Sequence, residues 1–204
     1  MALYEHGPFA HIVMATKYRI ALTGGIGTGK TYLSRHFVQM GIPVFYADDE
    51  AKALYRDEAF VGQLCALFGK RILDATGQVD SQVLADIIFN DEQQLARLEQ
   101  LVHPAVMQRF EQWAEIQPGN AVMMESAVVF ERGLDVHFDK VIVADAPLEL
   151  RIKRVLKRAP GTTREQVLQR MATQMPQEEK CRRADLVVCT GETYCEAEKG
   201  VPQP

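Results

Sequence analysis

"KYRIALTGGIGTGKTYLSRHF", residues 17–37, decides how the rest of the chain is read. An apolar run from Tyr18 to Thr23 meets Gly24, Gly25, Gly27 and Gly29, then Lys30 and Thr31, then a helical pattern. The run is short and bounded by Gly24, so it reads as a buried strand, and Thr31 to Met40 reads as its helix. Between them, Gly24-x-x-x-x-Gly29-Lys30-Thr31 is the complete phosphate-loop pattern in its strand–loop–helix setting. Glycines let consecutive backbone N–H groups turn inward as an anion nest, and the helix adds the positive end of its dipole. Lys30 is expected to bridge the β- and γ-phosphates of a nucleotide, and Thr31 to offer its hydroxyl to Mg²⁺.

Further along, Ile42–Tyr46 reads as a second strand, and "ADDEAKALYRD" opens a helix with acids in its first turn, where the dipole favours them. From Glu58 to about Gln117 the pattern is almost wholly helical, with Pro104 expected in a first helical turn. Strand character returns at 121–126, 139–145 and 184–190, with a basic helical region over 147–183 broken by Pro160-Gly161. Strands alternating with helices imply a parallel sheet with helices on both faces. The block between the second and third strands reads as an insertion. The chain therefore divides into an N-terminal extension (1–16) and one domain (17–204), with core 17–57, 118–146 and 184–190, a helical acceptor subdomain 58–117, and a lid 147–183.

Composition excludes several classes. With 204 residues, 47% hydrophobic and 25% charged, the chain is an ordinary globular one, and a net charge of −4 argues against nucleic acid as main partner. No run of 18 apolar residues marks a membrane span, and the opening "MALYEHGPFAHIV" is neither a signal peptide nor a transit sequence, so a cytoplasmic protein is expected. Met14 is a second possible start, which sets the first 13 residues outside the fold. Cys65, Cys181, Cys189 and Cys195 form no CxxC pair and are expected as free thiols in a reducing compartment. An Asn-Lys-x-Asp guanine-reading tetrad is absent, which removes the GTPases.

A phosphoryl acceptor needs a carboxylate to orient its hydroxyl and take the proton. Asp48 and Asp49 fall at the carboxyl end of the second strand, where open α/β sheets bind ligands. Asp48 is the first candidate and Asp49 the second, and both also suit the cap of the next helix. Glu125 ends a strand and suits a role at Mg²⁺ water or the acceptor, while His103 precedes Pro104 after the helical block. Arg151, Arg154 and Arg158 are spaced to share one helical face, the composition of a lid that closes over phosphates.

With these residues in view, "IALTGGIGTGKT", "GIPVFYADDEAK", "LEQLVHPAV", "ESAVVFE", "KRVLKR", "QRMATQ" and "ADLVV" together resemble the dephospho-CoA kinase family over about residues 18–190. The resemblance implies an α/β fold of the P-loop NTP-hydrolase-like kind, a parallel sheet flanked by helices with an inserted helical substrate domain and a helical lid. It implies phosphorylation of the ribose 3′-hydroxyl of dephospho-CoA by ATP, the last step of coenzyme A synthesis, by a monomer or small homo-oligomer. By the same likeness Gly25, Ile26, Gly27, Thr28, Gly29, Lys30 and Thr31 would bind ATP and Mg²⁺. Asp48 would be the base, His103 and Glu125 would lie on the acceptor side, and Arg154 and Arg158 would meet ATP. The chain departs from the family pattern in having Tyr46 for the first acid of an Asp-x-Asp, "SAVVFE" for a Pro-Leu-Leu-Phe-Glu segment, and Thr190 for an Asn. Another nucleoside or nucleotide kinase, or an ATP-switched binding module that transfers nothing, are the alternative readings.

Overall fold

A computed structural model describes residues 17–89 and 91–191. The N-terminal extension and the tail beyond Gly191, with Cys195, lie outside the described residues. Five strands form one all-parallel sheet: β1 (Tyr18–Thr23), β2 (Val44–Tyr46), β3 (Ala121–Glu125), β4 (Lys140–Asp145) and β5 (Leu186–Cys189), in the order β2-β3-β1-β4-β5. The strand that feeds the glycine loop is thus central. Helices α1 (Lys30–Gln39), α2 (Ala47–Leu54), α3 (Glu58–Phe68), α4 (Ser81–Phe89), α5 (Glu92–Ile116), α6 (Leu148–Arg158), α7 (Arg164–Ala172) and α8 (Gln177–Arg183) fill the connections.

Side chains alternate across the sheet with period two, and each face finds its own cover. Leu22, Met123, Ile142 and Ala144 pack toward Leu33 and Phe37 of α1. Ala21, Val141 and Val143 face the other way, against Val129, Phe130 and Cys181. Val122, Met124 and Phe45 join the largest cluster, which α2 through α5 supply with Leu54, Leu64, Phe68, Phe110 and others. Phe45, Phe110 and Trp113 meet within it at ring-centroid distances of 5.4 to 6.1 Å, Phe45 edge-on to Phe110 and Phe110 stacked on Trp113. The helical block between β2 and β3 is therefore continuous with the sheet's core.

Three of its helices, α3, α4 and α5, begin where an aspartate satisfies orphan amides, and Asp80 does so for Gln82 and Val83 at the start of α4. Asp57 accepts from Ala59 and Phe60, both at 3.1 Å, and Asp91 accepts from Gln93 and Gln94. Asp57 also meets Arg109 of α5 at 2.9 Å, so the start of α3 is pinned to the long helix.

Two expectations are corrected here. Pro104 lies inside α5 rather than in a first turn. Its ring sits on the exposed side of the helix, while Leu98, Val106, Phe110 and Ala114 hold the inner stripe that keeps α5 continuous past it. Among the cysteines, Cys65 and Cys181 are free, but Cys189 is disulfide-bonded. Motif spacing speaks to metal and redox pairs and is silent on a single cross-link near a chain end. No helix among the described residues is long and apolar enough to cross a membrane.

Candidate active site

The loop between β1 and α1 is shaped by what presses on it. Gly27 has φ +81°, and a Cβ there would stand 2.5 Å from the Arg151 carbonyl oxygen, so only glycine fits between loop and α6. Gly29, with φ +91°, is the N-cap of α1. Behind the loop, Gly25 N–H donates to Gln177 Oε1 (2.9 Å) and Ile26 N–H to Gln174 Oε1 (3.0 Å). Gln177 Nε2 in turn donates to Ala144 O at the end of β4 (3.0 Å), and Arg151 Nε donates to Ile26 O (3.0 Å). Thr28 is wholly buried, its hydroxyl turned back onto Gly25 O. The amides of Gly25 and Ile26 are thus engaged from behind, whereas the first N–H groups of α1 are those a helix leaves without internal partners.

Lys30 folds back on this loop, its Nζ donating to Gly24 O at 2.7 Å. Burial pulls its ammonium down to about 8, against the opposing pull of Glu125 and Asp48.

At the carboxyl edge of the sheet, a cavity of about 460 Å³ opens beside the loop. The loop contributes Gly27, Gly29, Lys30 and Thr31; Asp48 enters from the first turn of α2, Glu125 from the end of β3, and Arg154 and Arg158 from α6. Strand register explains part of this meeting, because Glu125 is paired with both Leu22 and Tyr46. Burial pushes the Glu125 carboxyl upward in spite of Lys30, and its Oε2 is buried with no hydrogen-bond partner. Thr31 and Ser34 are the hydroxyls beside it. Oxygens from Thr31, Glu125 and Asp48 suit a hard cation that takes its remaining ligands from phosphate and water. Among the described residues no cluster of three or more His, Cys, Asp or Glu exists to bind a metal by protein alone.

The other sequence candidates lie elsewhere. Asp49 points outward, its side chain 76% exposed and paired with Lys52 at 3.1 Å. Tyr46 reaches Ser34 with its hydroxyl (3.4 Å). His103 is half-buried on α5, outside the lining of the loop cavity. Burial and the nearby Arg132 hold it below the usual histidine value, while Glu99, which ion-pairs with Arg132, opposes them. Arg151 is corrected from a lid arginine to a brace: it is 8% exposed and bonded to the loop backbone, and only Arg154 and Arg158 line the cavity.

Residues that sequence reasoning missed are mostly polar and buried. Gln177 is one. Lys180 is another, fully buried, ion-paired with Glu131 at 2.7 Å and donating to Ala127 O at 2.7 Å. Glu131 also accepts from Met175 N–H, so the turn after β3 is fastened to the segment that carries both glutamines. Neither has a local signal, because its partners lie tens of residues away.

Comparison with known proteins agrees with this geometry. A family model for dephospho-CoA kinase matches residues 18–194. A dephospho-CoA kinase from Aquifex aeolicus is 35% identical over 187 residues, covering 89% of this chain and 94% of that one. One from Deinococcus radiodurans is 38% identical, covering 83% and 82%. Among solved structures, one from Thermus thermophilus superposes with TM-score 0.76 at 33% identity, covering 86% of this chain and 90% of that chain. Dephospho-CoA kinase from Campylobacter jejuni gives 0.62 at 26%, covering 87% and 90%.

Proposed function

The chain belongs to the dephospho-CoA kinase family, and from that premise we propose how its own residues transfer the γ-phosphoryl group of ATP to the ribose 3′-hydroxyl of dephospho-CoA, giving coenzyme A and ADP. One observation supports the division of roles best: Lys30, Asp48, Glu125, Arg154 and Arg158 all line a single cavity at the glycine loop.

In this reading the N-terminal amides of α1 hold the phosphates, and Lys30 exchanges the Gly24 carbonyl for β- and γ-oxygens. Asp48 orients the acceptor hydroxyl and takes its proton as the new O–P bond forms. Arg154 and Arg158 stabilise charge on the transferring group. Thr31 and Glu125 are the residues that would hold Mg²⁺, which would supply positive charge to offset that of the phosphates. His103 and the helical block carry the parts of the acceptor remote from the reacting hydroxyl.

A coupled ADP-release assay with Mg-ATP tests the reading, comparing dephospho-CoA with AMP, adenosine and no acceptor, with the product mass read in parallel. The expected result is ADP release that depends on dephospho-CoA and a product heavier by one phosphate. Release with AMP or adenosine alone, or none with dephospho-CoA, would overturn it.

A further inference from the structure

We propose that Thr190 is a positioning residue for phosphoryl transfer, because its hydroxyl ties Arg154 to the phosphate loop and so sets where that guanidinium meets ATP. The inference rests on the assignment of Arg154 to ATP given above.

Thr190 follows β5 directly and is held by its backbone, its N–H donating to Asp145 O at 2.8 Å. From there its side chain works in two directions. The hydroxyl donates to Thr28 O in the loop (2.5 Å) and accepts from Arg154 Nη1 (2.8 Å). Arg154 Nη2 donates to the Thr190 carbonyl (2.6 Å), and Nη1 also reaches Gly27 O (3.3 Å). A hydroxyl has one proton, and Asp145 O at 3.3 Å is the more distant of its two possible acceptors, so the proton goes to the loop and leaves the lone pairs for arginine. An arginine on a long, freely rotating stem is otherwise spread over many rotamers. Here three bonds clamp it between the last strand and the loop, with Nε–H and one Nη2–H left for a ligand.

The same contact couples three segments remote in sequence: the loop after β1, α6, and the end of β5. A Cβ on Gly29 would stand 3.0 Å from Thr190 Oγ1 and 3.3 Å from Arg154 Nη1, so both groups lie against the loop where α1 begins. Valine has nearly the shape of threonine without the hydroxyl, and would leave Thr28 O unbonded by the side chain and Arg154 one anchor short. Asparagine offers both a donor and an acceptor, so it retains the chemistry in a different shape.

Steady-state kinetics at saturating dephospho-CoA with varied Mg-ATP test this on Thr190→Val, Thr190→Ser, Arg154→Ala and the double variant Arg154→Ala/Thr190→Val. Thr190→Val should lower kcat/KM for ATP about tenfold, the size of one hydrogen bond to a charged group. KM for dephospho-CoA should be unchanged, and Thr190→Ser should restore activity. In the Arg154→Ala background the valine should cost nothing further, since the threonine acts through the arginine. An additional full loss there would overturn the proposal, as would wild-type kinetics for Thr190→Val. If Arg154→Ala is costly and Thr190→Val silent, the arginine's assignment stands and this inference alone falls. If Arg154→Ala is itself silent, both fall. Thermal unfolding checks each variant's fold. Should valine prevent folding, Thr190→Ala carries the same expectation and the same refutation.

Discussion

The two sides of the candidate site are built by different means. On the nucleotide side, Gln174, Gln177, Arg151, Arg154 and Thr190 all hydrogen-bond the glycine loop. On the side proposed for the acceptor, α3 to α5 present an apolar cluster, with ion pairs such as Arg109 to Glu50 and Asp57 at its margin. Asp48 is that side's contribution to the cavity itself, one carboxylate on a helix's first turn. A polar cage fixes where charge will sit before the ligand arrives, which suits phosphate chemistry. An apolar scaffold fixes a helix's position and leaves recognition to a few side chains at its edge. Preorganisation is therefore concentrated on the donor, and variants should separate the two sides.

The largest loss is expected from Lys30→Ala, which removes the cage's mobile charge. kcat/KM for ATP should fall about 10³-fold, with weakened ATP binding by titration. A variant within tenfold of wild type would break the contrast. Asp48→Asn should reduce kcat about 10²-fold while ATP affinity is nearly kept, because the carboxylate serves the acceptor. A loss of ATP affinity as large as the loss of kcat would move Asp48 to the other side.

Acidity sharpens the same comparison. Lys30 is lowered from 10.5 to about 8, so in the free enzyme it loses its proton as pH rises through about 8. kcat/KM for ATP should then decline above pH 8 by about tenfold per unit, a limb missing from Lys30→Arg. Stability moves the opposite way. Between pH 8 and 10.5 the unfolded chain holds a proton that the folded one has released, so Lys30 makes the fold more stable with rising pH, as denaturant titrations at the two pH values would show. The smallest effect belongs to Asp49→Asn, where an exposed pair with Lys52 is lost and turnover should stay within about twofold.

What the sequence disclosed was whatever is local. Tyr18–Thr23, the loop and α1 were legible because strand, glycines and helix follow one another without interruption. The parallel sheet and the helical block between β2 and β3 were legible from strands alternating with helices, and the placement of Asp48 near the loop from its position after β2. Pro104 was misread because a rule for first helical turns competed with an inner stripe that carries α5 straight past it. Arg151 shares its helical face with Arg154, yet one guanidinium is buried against Ile26 and the other lines the cavity; spacing cannot tell them apart. Gln177 and Lys180 were invisible for a stronger reason. A buried amide or ammonium is defined by partners such as Gly25 and Glu131, which only the fold brings near.

Lys30's bond to the Gly24 carbonyl has a bearing on selectivity among anions. A lysine already resting on a peptide dipole is drawn away only by a stronger negative field, so the loop works as a threshold as well as a trap. A single weak anion gains little by displacing a carbonyl that is already in place. Adjacent phosphates on one chain, sharing their charge over several oxygens, cross that threshold together. The backbone of the protein thus acts as a standing competitor for its own cation, which any incoming phosphate oxygen has to displace.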